Sequence, residues 1–125
     1  MAEEAKDASI DVSAYADDMI KVIERYELGA GNLIFVDGFP NEANPFRIGK
    51  VSKLEKKLYF KRNITPEERA AARKALYRFE EKDLRKIDDD WSFVKHVLLH
   101  QIVHILARNK DCYDCDKWAF YELKF

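Results

Sequence analysis

Residues 91–107 form a strongly apolar stretch that begins at Trp91 and is preceded by Asp88, Asp89 and Asp90. A helix of this length with so little polar surface is stable only when other elements cover it, so the stretch predicts the central helix of a domain. The three carboxylates ahead of it suit the positive end of a helix dipole. Arg108, Asn109, Lys110 and Asp111 break the pattern behind it. The remainder of the chain therefore has to supply the cover. With 125 residues, 47% of them hydrophobic and only 4 Gly and 3 Pro, it fits one packed domain spanning residues 1–125, without a disordered or collagen-like section.

The covering elements show in their periodicities. Val12, Tyr15, Ala16, Met19, Val22, Ile23 and Tyr26 recur at three- and four-residue steps, which predicts an amphipathic helix that Gly29 and Gly31 stop. Leu33 to Val36, then Phe46, Ile48 and Val51, then Leu58 and Phe60 read as three strands of a small antiparallel sheet, with a tight turn at residues 52–56. Thr65, Pro66 and Glu68 are placed for a capping box with proline at the first helical position, predicting a backing helix to about Lys86. Residues 113–123 complete the set as a short C-terminal helix. The expected class is α+β: a small antiparallel sheet, a backing helix, a long central helix and a short C-terminal one.

Charge narrows the function. Lys plus Arg number 22 against 23 Asp plus Glu, so no global field favours polyanions, and a dedicated nucleic-acid binder is disfavoured. The basic, aromatic stretch Lys53 to Arg62 reads more simply as the solvated face of a hairpin. The acidic N-terminus lacks a secretory pattern, and the longest unbroken apolar runs have four residues, Leu33–Val36 and Trp118–Tyr121. The expectation is a cytosolic protein without a membrane span.

Chemistry concentrates in the last third. His100 and His104 stand four residues apart on the central helix, about 40° from each other around its axis, a spacing at which both imidazoles can bind one zinc ion. Cys112 and Cys115, the chain's two cysteines, follow at once with a spacing that suits metal or redox chemistry better than a structural disulfide.

His100-Gln101-Ile102-Val103-His104 resembles the His-Glu-x-x-His helix of zincin metallopeptidases, with Gln101 where they carry glutamate. Cys115-Asp116-Lys117-Trp118-Ala119 resembles the Ala-Asp-x-x-Ala segment of the gluzincins. The order of elements upstream is compatible with their smallest, minigluzincin, form. The resemblance implies zinc as cofactor, held by His100, His104 and a third protein ligand four residues before Asp116, which is Cys112, with Asp111 or Asp114 as alternatives. It implies that Asp116 orients one ligand from behind. The reaction would be hydrolysis of a peptide or protein substrate by zinc-bound water, with Gln101 at the general-base position. An amide cannot take that proton, so the resemblance implies a silenced peptidase.

Blander readings compete. The histidines could be satisfied core residues, and His96, one turn earlier, reads as structural. His100, His104, Cys112 and Cys115 could form a closed structural site in a non-enzymatic module. A redox role for the cysteines is disfavoured because a helix, and not a strand, precedes them. Trp118, Phe120, Leu123 and Phe125 read as core, or as aromatics that occupy a substrate cleft.

Overall fold

A computed structural model describes residues 9–39, 47–52, 54–106 and 112–123, with the side chain of Cys112 excepted. Strand β1 (Ile10–Asp11) leads through one 3₁₀ turn (Val12–Tyr15) into helix α1 (Ala16–Arg25). Strands β2 (Leu33–Val36), β3 (Gly49–Ser52), β4 (Lys57–Lys61) and β5 (Asn63–Ile64) follow. Helices α2 (Pro66–Lys74), α3 (Glu81–Leu84), α4 (Asp90–Leu106) and α5 (Cys112–Glu122) complete the chain. The class is α+β.

Helix α4 is the centre, and the reason is its composition. Phe93, Val94, Leu98, Leu99 and Ile102 point to different sides of the helix and are all at most 2% exposed, so sheet and helices must surround it. Burial of each such side chain contributes about 1.5–3 kcal/mol. Of the three carboxylates ahead of it, Asp89 is the cap: the Ser92 amide donates to Asp89 Oδ2 at 3.0 Å. Burial alone would raise the Asp89 pKa, but the Ser92 hydrogen bonds hold it below the usual carboxylate range. Asp88 and Asp90 instead accept from Arg73 and Arg69 of α2.

Strand β4 lies in the middle of a three-stranded sheet of order β2-β4-β3, with Leu58 and Phe60 fully buried on one face. The β3–β4 pair is antiparallel, with Gly49 opposite Phe60, and Lys56 takes a left-handed φ of 59° in the turn between them. The sheet departs from the sequence expectation in one pairing, because β2 runs parallel to β4, with Leu33 opposite Leu58. Twelve residues separate Val36 from Gly49, ample to cross the roughly 10 Å of two strand spacings and enter β3 on the far edge. A separate antiparallel pair joins β1 to β5 and buries Ile10 and Ile64; two-residue strands leave no periodicity to read.

Two helix limits also differ from the periodicity. Helix α1 starts as a 3₁₀ turn and ends before either glycine. Glu27 adopts a left-handed φ of 63° and the Leu28 amide returns to the Ile23 carbonyl at 3.1 Å, so a glutamate performs the termination that glycine ordinarily does. The backing helix does not continue to Lys86. Its capping box forms as expected, with Glu68 N donating to Thr65 Oγ1 at 3.1 Å and Thr65 N to Glu68 Oε1 at 2.8 Å. After Lys74 the chain turns, and this brings the Phe79 ring to 4.8 Å from that of Phe120 and 5.2 Å from that of Tyr113. A straight helix would forgo that packing against α5.

Helix α5 buries Cys115, Ala119, Phe120 and Leu123, and is tied to α1 by Tyr26. The Tyr26 hydroxyl donates to Glu122 Oε1 at 3.0 Å and its ring meets Trp118 edge-on. Burial, then the Glu122 hydrogen bond, pushes the Tyr26 pKa up to about 12. Phe120 and Leu123 are therefore core and Trp118 packs against it, while Phe125 lies outside the described residues. No helix among the described residues is long and apolar enough to cross a membrane.

Candidate metal centre

The spacing of His96, His100 and His104 puts all three imidazoles on one stripe of α4, and α5 packs along that stripe. Cys115, Ala119 and Leu123 recur every four residues on α5, so the small Cys115 and Ala119 let the two helices approach closely. The result is a group of ligand atoms from His100, His104 and Cys115, all within 4.8 Å of one another, close enough to bind a metal ion. His100 Nε2 and His104 Nε2 are 3.0 Å apart. Two zinc bonds of 2.0–2.1 Å at the tetrahedral angle put nitrogens about 3.3 Å apart, so the imidazole pair is near that spacing. Two nitrogen lone pairs at this distance repel unless a proton or a cation lies between them. Cys115 Sγ lies 3.7 Å from the other nitrogen of His104, and Cys115 is fully buried.

Asp116, the next residue on α5, accepts at Oδ1 from His100 Nδ1 at 2.6 Å and from His96 Nε2 at 2.9 Å. Burial would raise its pKa; the hydrogen bonds from His100 and His96 outweigh that and hold it low, so Asp116 is a carboxylate acceptor. The shared proton on His100 therefore sits on Nδ1, and the Nε2 lone pair is directed at His104. His96 is 3% exposed, with its ring centroid 4.3 Å from that of Phe120. Burial lowers its pKa against the pull of Asp116, which favours the neutral ring, and among the described residues its Nδ1 has no hydrogen-bond partner.

Gln101 points away from this stripe to the edge strand β3. A methyl group on Gly49 would lie 2.7 Å from Gln101 Nε2, so the absence of a side chain at Gly49 is what admits Gln101 there. Gln101, His100, His96 and Asp116 line a cavity of about 250 Å³ together with Ala72 and Ala75 at the end of α2.

The structure thus brings His100, His104 and Asp116 together, with Gln101 beside them. Of the three residues the sequence offers as a further ligand, Asp111 and the side chain of Cys112 lie outside the described residues, and Asp114 is not in the ligand group. The thiol that stands with the imidazoles is that of Cys115, which sequence reasoning placed only in a four-ligand alternative. Cys112 and Cys115 are three residues apart on one helix face, so periodicity could not separate them. The bond from His96 to Asp116 also escaped the sequence, although the four-residue repeat from His96 to His104 was its one available sign. Comparison with known proteins gives no match to this chain among protein-family models, curated proteins or solved structures.

Proposed function

We propose that the protein is a zinc-dependent peptidase domain, silenced by glutamine at its general-base position. His100, His104 and Cys115 would hold the metal. Two imidazoles and a thiolate are a donor set that zinc accepts readily, and the observation that carries the reading is their convergence beside a cavity that reaches His100 and Gln101. When bound, zinc supplies a Lewis acid for the scissile carbonyl and lowers the pKa of water. Asp116 holds His100 in the tautomer that leaves Nε2 as the donor. The cavity gives room for a substrate group next to His100 and Gln101. Gln101 can hydrogen-bond to a reactant there but cannot accept its proton, so the chain with glutamine at this position should be almost inert toward peptides.

The decisive substitution is Gln101→Glu, nearly isosteric and therefore mild to the fold. A general base is worth about 10² to 10⁴ in rate, so Q101E should cleave an unstructured protein at least 10²-fold faster than the unaltered chain, with loss of cleavage on chelation and in a Q101E/H100A double variant. A Q101E protein that binds one zinc per chain and leaves every peptide intact would overturn the enzymatic reading.

The presence of Cys115 with the histidine pair also favours a second reading, the closed structural site with Cys112 as fourth ligand. Zinc binding separates the two. Loss with C115S but not C112S supports an open site; equal loss with either supports the closed one.

A further inference from the structure

We infer that His96 is a positioning residue of the metal centre: through its Nε2–H it holds the Asp116 carboxylate that in turn orients His100. The inference rests on the reading of His100 and His104 as zinc ligands. It extends that reading one residue outward, to a side chain that the sequence reads as structural.

Three observations carry it. First, one oxygen, Asp116 Oδ1, accepts from both rings, at 2.6 Å from His100 and 2.9 Å from His96. The backbones of the two histidines are separated by a rise of about 6 Å along α4, and their rings converge on one oxygen, so the carboxylate on α5 is pinned by residues one helical turn apart. Second, the Asp116 side chain is only 15% exposed. A carboxylate so far from water needs hydrogen-bond donors to hold it in one orientation. With the His96 donor gone, Asp116 would turn toward water in the adjoining cavity and release His100 Nδ1. Third, His96 makes this contact through Nε2, while among the described residues its Nδ1 has no hydrogen-bond partner. Simple packing against Phe120 would be served as well by a phenyl ring, so the imidazole at this buried position is explained by its single donated bond.

The test uses the full chain stripped of metal. Cobalt is titrated in and its ligand-field absorption followed, together with the thiolate-to-cobalt charge-transfer band, and zinc affinity is measured by competition with a chromophoric chelator. Loss of an outer partner of a metal-bound histidine typically costs 10- to 100-fold in affinity. Because His96 acts through Asp116, His96→Phe should weaken zinc by about 10-fold, the lower end of that range. The ligand-field band should change shape while the charge-transfer band stays, because Cys115 is untouched. His96→Gln, which keeps an N–H donor at the same reach, should return most of the affinity. In an Asp116→Ala background, H96F should have no further effect, because the residue through which it acts is gone.

Unchanged affinity and spectrum in H96F would overturn the positioning role while leaving the zinc site intact. An equal loss in the D116A background would also overturn it, since His96 would then act by another route. If the unaltered chain binds neither cobalt nor zinc, the zinc reading falls and this inference with it. Should H96F not fold, His96→Met, of similar length and without a donor, is compared with H96Q under the same criteria; equal affinity in these two variants would refute the role.

Discussion

Gly49→Ala isolates the contact between strand β3 and Gln101 without touching His100, His104 or Cys115. The added carbon would lie 2.7 Å from Gln101 Nε2, 3.6 Å from Gln101 Cδ and 3.6 Å from the Tyr59 carbonyl oxygen. The latter two are ordinary contacts, so the whole strain falls on the Gln101 amide, which must retreat by roughly 0.7 Å to reach van der Waals separation. Gln101 is half-buried and borders a cavity, so it can move, at about 0.5–1.5 kcal/mol for an unfavourable rotamer. Gly49 does not use a positive φ, so alanine there should also gain about 0.4–1 kcal/mol by restricting the unfolded chain. The two effects nearly cancel. G49A alone should shift stability by less than about 1 kcal/mol, whereas in a Gln101→Ala background, where the collision is absent, it should stabilise by about 0.4–1 kcal/mol. The coupling in the double-mutant cycle is then of order 1 kcal/mol, or about 4 °C in the midpoint of thermal unfolding for a chain of this length. Thermal unfolding of the four metal-free proteins by circular dichroism measures it. Equal effects of G49A in both backgrounds would refute the packing of Gln101 against β3, and with it the account of why residue 49 is glycine.

Other perturbations test the scaffold. Thr65→Ala removes the acceptor for the Glu68 amide and should cost about 1 kcal/mol in urea unfolding; an effect below about 0.3 kcal/mol would mean that the capping box is dispensable. Glu27→Gly relieves a left-handed backbone at a non-glycine residue and should stabilise by about 0.5–1 kcal/mol, so a loss of stability would show that the glutamate side chain matters more than its φ. The raised Tyr26 pKa favours the neutral phenol in the fold. Its contribution is thus complete below about pH 10 and declines as pH climbs through about 12. Tyr26→Phe should be less stable than the unaltered chain at neutral pH and close that gap in strong alkali; a gap that does not narrow would refute the Tyr26–Glu122 bond.

What the sequence determined by itself rests on local periodicity and end chemistry. The apolar run that became α4 could only be a buried helix. The Thr65–Glu68 box and the four-residue spacing of His100 and His104 are set by helix geometry within a single turn, so they survive any arrangement of the rest. Tertiary structure decided what depends on residues far apart in the chain. The parallel pairing of β2 with β4 follows from a crossing connection, not from the pattern of either strand. The backing helix ends at Lys74, and the turn that follows sets Phe79 against the Phe120 and Tyr113 rings of α5, a contact between residues far apart in the chain. Cys115 meets the imidazoles through the angle and depth at which α5 lies on α4. The Asp116 carboxylate meets His96 as well as His100 for the same reason. Periodicity can place residues on a face; only the packing of two faces decides which atoms meet.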